Sequence, residues 1–343
     1  MKKAILIQLA LCMGLAVSAQ QPNGTFSFLK ATNSARVASL GGLPLPMADG
    51  DIQASTFNPS VIGEDMNNRL GLSYVDYYTD INFVTAQYAR TFEQLGSFAA
   101  TVQFHSYGKF DETSESSVAM GTFTCSDYSV NIGWGRRLTP HWSIGAALKY
   151  AGLQYESYAA GALAVDLAGN YRSDNGWTFS LTSRNMGTQL FSNYESVASP
   201  LPFALDLGAS KKLEHLPVTL MFWYDDIQRW NKLFEDPLDL AGNIDPFTGE
   251  LKPENKVRRF ARNLACHVVF GAEAHLGKNI VLRASYNYGQ RYAMEVPDGL
   301  TMVGFAAGVG VKIKMFEISY ARSRQSVQNA PNYLTVTMNL NEF

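Results

Sequence analysis

Hydrophobic and polar residues alternate along most of the chain. Residues 128–134 read YSVNIGW, with large apolar side chains at even positions and small or polar ones at odd positions. Residues 142–150 and 303–313 repeat this pattern. Because successive side chains of a β-strand point to opposite faces, each such strand has one apolar face and one small or polar face. The pattern therefore predicts an all-β chain.

About 14 segments alternate in this way, and short connections between them alternate with long ones. The segments span residues 69–76, 80–91, 96–107, 122–137, 142–155, 161–172, 177–186, 201–211, 217–224, 260–275, 279–288, 301–313, 315–322 and 333–341. The long connections span residues 108–121, 187–200, 225–259, 289–300 and 323–332. Bacterial membrane barrels have an even number of antiparallel strands, short periplasmic turns and longer outer loops. Residues 69–343 are therefore predicted to form a transmembrane antiparallel β-barrel of about 14 strands.

Two other architectures fit the sequence less well. No run of 18 or more apolar residues follows residue 19, which excludes a helical membrane protein. A secreted β-sandwich would also show alternation, but its outward face could carry many Lys and Glu residues. The second face is here rich in Gly, Ser, Asn and Ala, as expected for a crowded lumen. A closed barrel also satisfies every backbone polar group within lipid.

Residues 1–19 have the features of a secretory signal peptide. A basic start at Lys2 and Lys3 precedes an apolar stretch, and small residues lie just before the end at Ala19. Such a segment is too short to span a membrane and is removed from the mature protein. We therefore expect cleavage near Ala19/Gln20, with the outer membrane as the destination of the chain.

The segment 20–68 does not alternate and contains several Gly and Pro residues. Its apolar side chains, among them Leu40, Leu45 and Phe57, would be costly to leave in water. A periplasmic tail and a plug inside the lumen are both compatible with its position before the barrel. We expect the plug.

Composition and charge exclude several classes of protein. The chain of 343 residues is 46% hydrophobic and 17% charged, with a net charge of −2. Disorder requires low hydrophobicity and high net charge, and nucleic-acid binding requires a basic field. Cys125 and Cys266 remain after the signal peptide, and we expect two free thiols rather than a disulfide.

No catalytic, cofactor or metal site is expected. His105 and Ser106 are adjacent on a predicted strand and point to opposite faces, so they cannot act together as base and nucleophile. The carboxylates of Asp236, Asp239 and Asp245 lack the regular spacing of a calcium loop. The chain is therefore predicted not to be an enzyme.

The connection 225–259 carries more apolar surface than a solvated loop needs. Trp and Arg are favoured anchors in protein interfaces. The loop could instead pack on itself. The residues predicted to bind a partner are Trp230, Leu233, Phe234, Phe247, Arg258 and Arg259.

Two motifs in the segment 20–68 resemble the plug signature of FadL-like outer-membrane barrels. Residues 34–42 read SARVASLGG and residues 57–60 read FNPS. The resemblance implies a FadL-like barrel with its N-terminal segment in the lumen. The residues that it implies for the plug motif are Arg36, Gly41, Gly42, Asn58 and Pro59.

Three further segments resemble the PorQ family, barrels of the type IX secretion system of Bacteroidetes. They read YVDYYTDIN over 74–82, YGKFDET over 107–113 and SKKLEH over 210–215. The resemblance covers nearly the whole mature chain. It implies a non-enzymatic outer-membrane barrel, without a cofactor, that anchors a PorZ-like surface protein.

The same resemblance implies a larger attachment complex. The sortase PorU and the PorV barrel would be its other members, with outer-membrane lipid and lipopolysaccharide as further partners and no nucleic acid. The alternative function is that of a FadL-type transporter of hydrophobic small molecules, which would need an apolar pocket beside the plug and a gap in the wall.

Overall fold

The computed structural model describes residues 24–114, 116, 119–193, 199–233, 256–294 and 302–342. Fourteen antiparallel strands of these residues close into a barrel, in which each strand pairs with its sequence neighbours and the first pairs with the last. The predicted fold class is confirmed. The strands are β1 (Arg69–Tyr78), β2 (Ile81–Phe92), β3 (Gly96–Thr113), β4 (Ala119–Arg137), β5 (Trp142–Tyr155), β6 (Tyr158–Arg172), β7 (Trp177–Ser192), β8 (Ala204–Lys212), β9 (Val218–Tyr224), β10 (Val268–Leu276), β11 (Ile280–Asn287), β12 (Phe305–Ile313), β13 (Phe316–Ser323) and β14 (Asn332–Asn339).

Large apolar side chains face outward from the barrel and polar side chains face inward. The outward set is well exposed and includes Leu72, Val84, Val102, Ile132, Leu148 and Leu282. The inward set is buried and includes Ser73, Gln87, Gln103, Asn131, Asp166 and Thr335. A soluble sandwich would bury the apolar set instead. The apolar exterior therefore requires lipid around it, as in transmembrane barrels.

The two ends of the barrel differ in their connections. At one end, here called the inner end, six tight connections join β2 to β3, β4 to β5, β6 to β7, β8 to β9, β10 to β11 and β12 to β13. The other connections lie at the opposite, outer end, and four of them are long, as predicted. The predicted long connection 108–121 is wrong, because β3 continues to Thr113 and β4 already begins at Ala119. The connections of β1 to β2 and β5 to β6 are tight, and Thr79 and Glu156, which have positive φ, form part of them. Aromatic pairs mark both ends, for example Trp142 with Tyr171 at the inner end and Phe222 with Phe270 toward the outer end.

The predicted strand 260–275 is wrong at its start. Residues Lys256–His267 form a helix, and β10 begins only at Val268. Two strands pair with β10, of which β9 ends at Tyr224 and β11 ends at Asn287, so residues before His267 have no strand partner on either side. The spacing of three apolar residues, Val257, Phe260 and Leu264, is that of one face of a helix. Because no strand partner is present, this segment forms a helix.

Three helices of four or more residues with α geometry occur among the described residues. They are α1 (Ala35–Ser39), α2 (Lys256–His267) and α3 (Tyr288–Ala293). Within the described ranges, no helix is both long enough and apolar enough to cross a membrane.

Candidate functional site inside the barrel

The described part of the N-terminal segment, residues 24–68, contacts inward-facing side chains of the wall. It begins toward the outer end, where the Thr25 amide donates a hydrogen bond to the Ser199 hydroxyl at 3.0 Å. It reaches β1 at the inner end, and most of residues 33–62 are buried. The segment therefore runs along the lumen from the outer end to the inner end.

Polar side chains from strands all around the barrel bind this irregular backbone. Buried backbone carbonyls need hydrogen-bond donors, and the lumen face of the wall supplies them. The donors are Gln87 to Ile52, Asn131 to Thr56, Ser143 to Ser60, Asn170 to Pro46 and Trp223 to Pro44, over 2.8 to 3.2 Å.

Arg36 lies at the centre of a buried charged cluster. Its guanidinium donates to both Glu273 oxygens at 3.1 and 3.2 Å. It also donates to Asp49 at 3.0 and 2.5 Å and to Asp51 at 3.0 Å. Arg283 adds a second cation 2.7 Å from Glu273. Buried charges are tolerated only when they are paired in this way, so the cluster ties α1 to residues 49–51 and to β10.

The electrostatics of this cluster favour the charged forms of Arg36 and Asp49. Burial by itself disfavours the charge on Arg36, but the carboxylates of Asp49, Glu273 and Asp51 raise its pKa well above the ordinary value. Burial alone would raise the pKa of Asp49, but the Arg36 guanidinium lowers it below the ordinary value. The stabilisation from Asp49 is therefore present above the ordinary carboxyl pKa and is lost as the pH falls through the lowered value.

The remaining predicted plug residues shape the backbone. Gly41 and Gly42 have φ of +98° and +77°, the left-handed conformation with which many helices end. The Gly42 amide donates to Val37 at 2.9 Å and so ends α1. Asn58 accepts from the amide and the hydroxyl of Ser60 at 3.2 and 2.6 Å, and Pro59 starts the short turn that follows.

An apolar patch lies inside the barrel toward the outer end. It is called the lumen patch and consists of Phe26, Phe28, Leu29, Ala151, Leu153, Ala160, Ala162, Ala164 and Leu201. Next to it, the pairing of β6 with β7 shifts register between Gly161 and Ala162 and again between Val165 and Leu167. Apolar lining and two shifts of strand register thus coincide in one part of the wall.

A buried histidine borders the lumen patch. The His105 ring lies 4.1 Å from the Phe83 ring and 5.5 Å from the Phe28 ring, measured between centroids. Within the described residues, neither of its ring nitrogens has a hydrogen-bond partner. Its cross-strand neighbour Asp127 accepts from the Tyr107 hydroxyl at 2.5 Å.

Two open cavities lie at the inner end beside the N-terminal segment. Their volumes are about 220 and 610 Å³. Charged side chains line both of them, and the two cavities share His141 and Arg172. The surface of the smaller cavity is mainly polar, whereas that of the larger one is mainly apolar between its charged groups. The lumen patch is apolar and filled by the segment itself.

Four of the residues predicted to bind a partner, Trp230, Leu233, Arg258 and Arg259, lie at the outer end. The Trp230 ring packs against Phe260 of α2 at 5.4 Å between centroids. Leu233 is buried, while Arg258 and Arg259 are exposed on α2. Phe234, Phe247, Asp236, Asp239 and Asp245 lie outside the described residues, as does the predicted signal peptide 1–19. The partner-binding role of this set stays a prediction.

Three carboxylates approach one another at the same end. The ligand atoms of Asp206, Asp225 and Asp226 lie within 4.8 Å of one another. Arg184 contacts Asp206 at 2.8 Å, Lys232 contacts Asp225 at 2.7 Å and Lys30 contacts Asp226 at 3.1 Å. Burial alone would raise the pKa of Asp225, but Lys232 lowers it to about 2. The cluster is therefore an ion-pair network rather than a cation site.

The sequence reasoning missed the acidic half of the Arg36 cluster. Asp49 and Asp51 lie in a segment without periodicity, so nothing marked them as partners of Arg36. Glu273 and Arg283 gave a weak signal, because both stand at polar positions of alternating strands and are cross-strand neighbours. A charged pair on the lumen face indicates a buried contact there, but it does not identify the partner.

No protein-family model matches the chain, and no curated protein matches it in sequence. Several solved barrels are similar in structure. The toluene transporter TbuX of Ralstonia pickettii has 11% identity and a TM-score of 0.49, covering 90% of this chain and 97% of that one. The toluene transporter TodX of Pseudomonas putida has 11% identity and a TM-score of 0.48, covering 88% and 95%. A FadL homologue of Pseudomonas aeruginosa has 7% identity and a TM-score of 0.47, covering 90% and 98%.

Proposed function

We propose that this chain is an outer-membrane barrel, formed after removal of residues 1–19, that passes small hydrophobic molecules. The N-terminal segment would act as the plug of its lumen. The observation that supports this function is the lumen patch, an apolar surface formed toward the outer end by wall residues and residues 26–29, beside the two register shifts between β6 and β7. A molecule that leaves the lumen for the bilayer needs both features in the same place.

The plug has two parts with different attachments. Residues 33–62 are held by the Arg36 cluster and by hydrogen bonds from the wall. Residues 24–31 fill the lumen patch with Phe26 and Phe28, and their polar ties include Thr25 to Ser199 and Lys30 to Asp226. Passage would therefore require the movement of residues 24–31 alone, while the rest of the plug stays in place.

Two alanine substitutions test this proposal. Ala162 lies in the lumen patch, and Ala147 is another buried lumen alanine on a neighbouring strand outside it. We expect Ala162→Leu to lower uptake of radiolabelled toluene about tenfold in cells whose own hydrophobic-substrate barrels are deleted. Ala147→Leu adds the same atoms and should leave uptake within about twofold. Altered mobility on unheated gels identifies any variant whose barrel has not formed.

Phe28→Ala tests the lumen patch by removing a side chain from it instead of adding one. Removing this ring empties part of the lumen patch, so toluene uptake should rise. Equal uptake by all three variants and the unaltered chain would contradict the transport function, as would uptake no higher than in cells without the barrel.

A second candidate is the anchor of a PorQ-type attachment complex. The Arg36 cluster favours it, because five hydrogen bonds to three carboxylates hold most of the plug in place, and a lumen that stays closed suits an anchor. The partner would be a PorZ-like surface protein, with PorU and PorV in the larger complex. Binding would involve the outer connection that contains Trp230, Arg258 and Arg259.

A pull-down from gently solubilised outer membranes of the native host tests the anchor. We expect PorZ-like and sortase components to co-purify with the tagged full-length barrel and to be lost when residues 234–255 are shortened. The same shortening in a barrel that still folds should leave toluene uptake unchanged. Recovery of the barrel alone under conditions that preserve other outer-membrane complexes would contradict this candidate.

A further inference from the structure

Helix α2 combines an apolar stripe with a cluster of cations. Its sequence, KVRRFARNLACH, contains four Lys or Arg residues and no acidic residue. Val257, Phe260 and Leu264 are spaced three and four residues apart and therefore share one face of the helix. They are 75%, 55% and 39% exposed. A helix of this composition is typical of those that lie in the interface of a membrane.

The face of α2 that adjoins the apolar stripe is fixed to the barrel. Asn263 donates to the Trp230 carbonyl at 2.6 Å and accepts from the Lys232 amide at 3.0 Å. The two ring nitrogens of His267 lie 2.6 and 2.9 Å from the carbonyl oxygens of Asp225 and Trp230. Asn263 and His267 are buried, whereas Val257, Phe260 and Leu264 beside them are exposed, so the stripe lies at the surface of the barrel end.

The apolar stripe continues the lipid-facing exterior of the barrel. Leu264 stands one helical turn before Val268, the first residue of β10. Val268 has the outward parity of Phe270, which packs edge-to-face on Phe222 at 5.5 Å between centroids. Exposed apolar residues of β10 are thus followed along the chain by those of α2, at the level where the strands end.

We propose that α2 is an interfacial helix that binds anionic, phosphate-bearing lipid of the outer leaflet. Val257, Phe260 and Leu264 enter the boundary between headgroups and acyl chains. Lys256, Arg258 and Arg259 then reach the headgroup phosphates, to which guanidinium groups donate two parallel hydrogen bonds. The continuity with the lipid-facing wall and the absence of acidic residues on α2 favour lipid phosphate as the occupant over a protein.

Hydrogen exchange of the full-length barrel in nanodiscs tests this inference. Amides of residues 257–264 should exchange about tenfold more slowly in discs that contain lipid A than in discs of phosphatidylcholine alone. The double variant Arg258→Glu/Arg259→Glu should lose this protection, since each cation near an anionic surface contributes roughly fivefold in binding. High salt should weaken the protection in the unaltered chain.

The matched control is Lys109→Glu/Arg324→Glu, which reverses two exposed charges of the outer end away from α2. It should keep the lipid A effect. Phe260→Ser keeps every charge and should weaken the protection by removing the apolar insertion. Protection that is equal in both kinds of disc would overturn the proposal, as would its survival in the Arg258→Glu/Arg259→Glu variant. Protection that appears only after addition of outer-membrane proteins would assign α2 to a protein partner instead.

Discussion

Replacing Arg36 with methionine is expected to release the N-terminal segment from the lumen. The substitution leaves the buried carboxylate of Asp51 and the partly exposed carboxylate of Asp49 without their cation, while Glu273 keeps Arg283. Removal of one partner from a buried ion pair destabilises proteins by about 3 to 5 kcal/mol. We expect the lower part of this range because one carboxylate stays paired. Conductance in planar bilayers and protease cleavage within residues 24–68 should both rise.

Two controls separate the loss of charge pairing from a general loss of stability. Arg137→Met removes an exposed arginine that lies 3.9 Å from Asp65, and exposed pairs contribute at most about 1 kcal/mol. Arg36→Met combined with Asp49→Asn and Asp51→Asn removes the uncompensated charges and should close the lumen again in part. If the single variant conducts no more than the Arg137→Met barrel, the cluster does not hold the segment.

Replacing Gly145 with alanine is expected to displace the turn at Pro59–Val61 from the wall. A Cβ atom at residue 145 would lie 2.2 Å from the Pro59 carbonyl carbon and oxygen and 2.5 Å from the Ser60 nitrogen. These are backbone atoms, which cannot rotate away as a flexible side chain could. Overpacking of this kind costs about 1 to 3 kcal/mol, and the urea midpoint of the barrel in lipid vesicles should fall accordingly.

Gly169 provides the matched control for this substitution. It lies on the neighbouring strand β6, and a Cβ atom there would meet no atom within 4 Å. Glycine in a strand is less stable than alanine by about 0.5 to 1 kcal/mol, so Gly169→Ala should leave the midpoint unchanged or raise it. Similar losses in both variants would show that the close approach of Pro59 to β5 is not the cause.

The strand pattern illustrates what local sequence can predict. All 14 strands follow from the alternation of residues such as Val130 and Ile132 with Ser129 and Asn131. The period of two comes from the geometry of the strand itself. The surrounding lipid then requires an apolar side chain at nearly every outward position. For the same reason, the all-β fold and the end of the barrel that carries the long connections were also predictable.

The exceptions have a physical cause outside the local sequence. Residues 260–267 were predicted as strand, yet they form the end of α2. The choice between helix and strand there depends on whether a pairing partner is present, and β9 ends at Tyr224. The hairpin of β3 and β4 is longer than predicted for the complementary reason, because each of its two arms provides a partner for the other.

The sequence by itself thus determined the membrane-spanning architecture. Strand geometry makes successive side chains alternate between faces, and lipid requires the outward ones to be apolar, so both effects are visible in a few consecutive residues. The segment 20–68 could be marked as irregular and apolar, and Arg36 could be singled out by its motif. Only the tertiary structure decided what these residues contact. Glu273 lies 237 positions from Arg36, and the contact of Pro59 with Gly145 depends on closure of the whole barrel. Such contacts arise from the way a closed sheet surrounds its lumen, which no local pattern encodes.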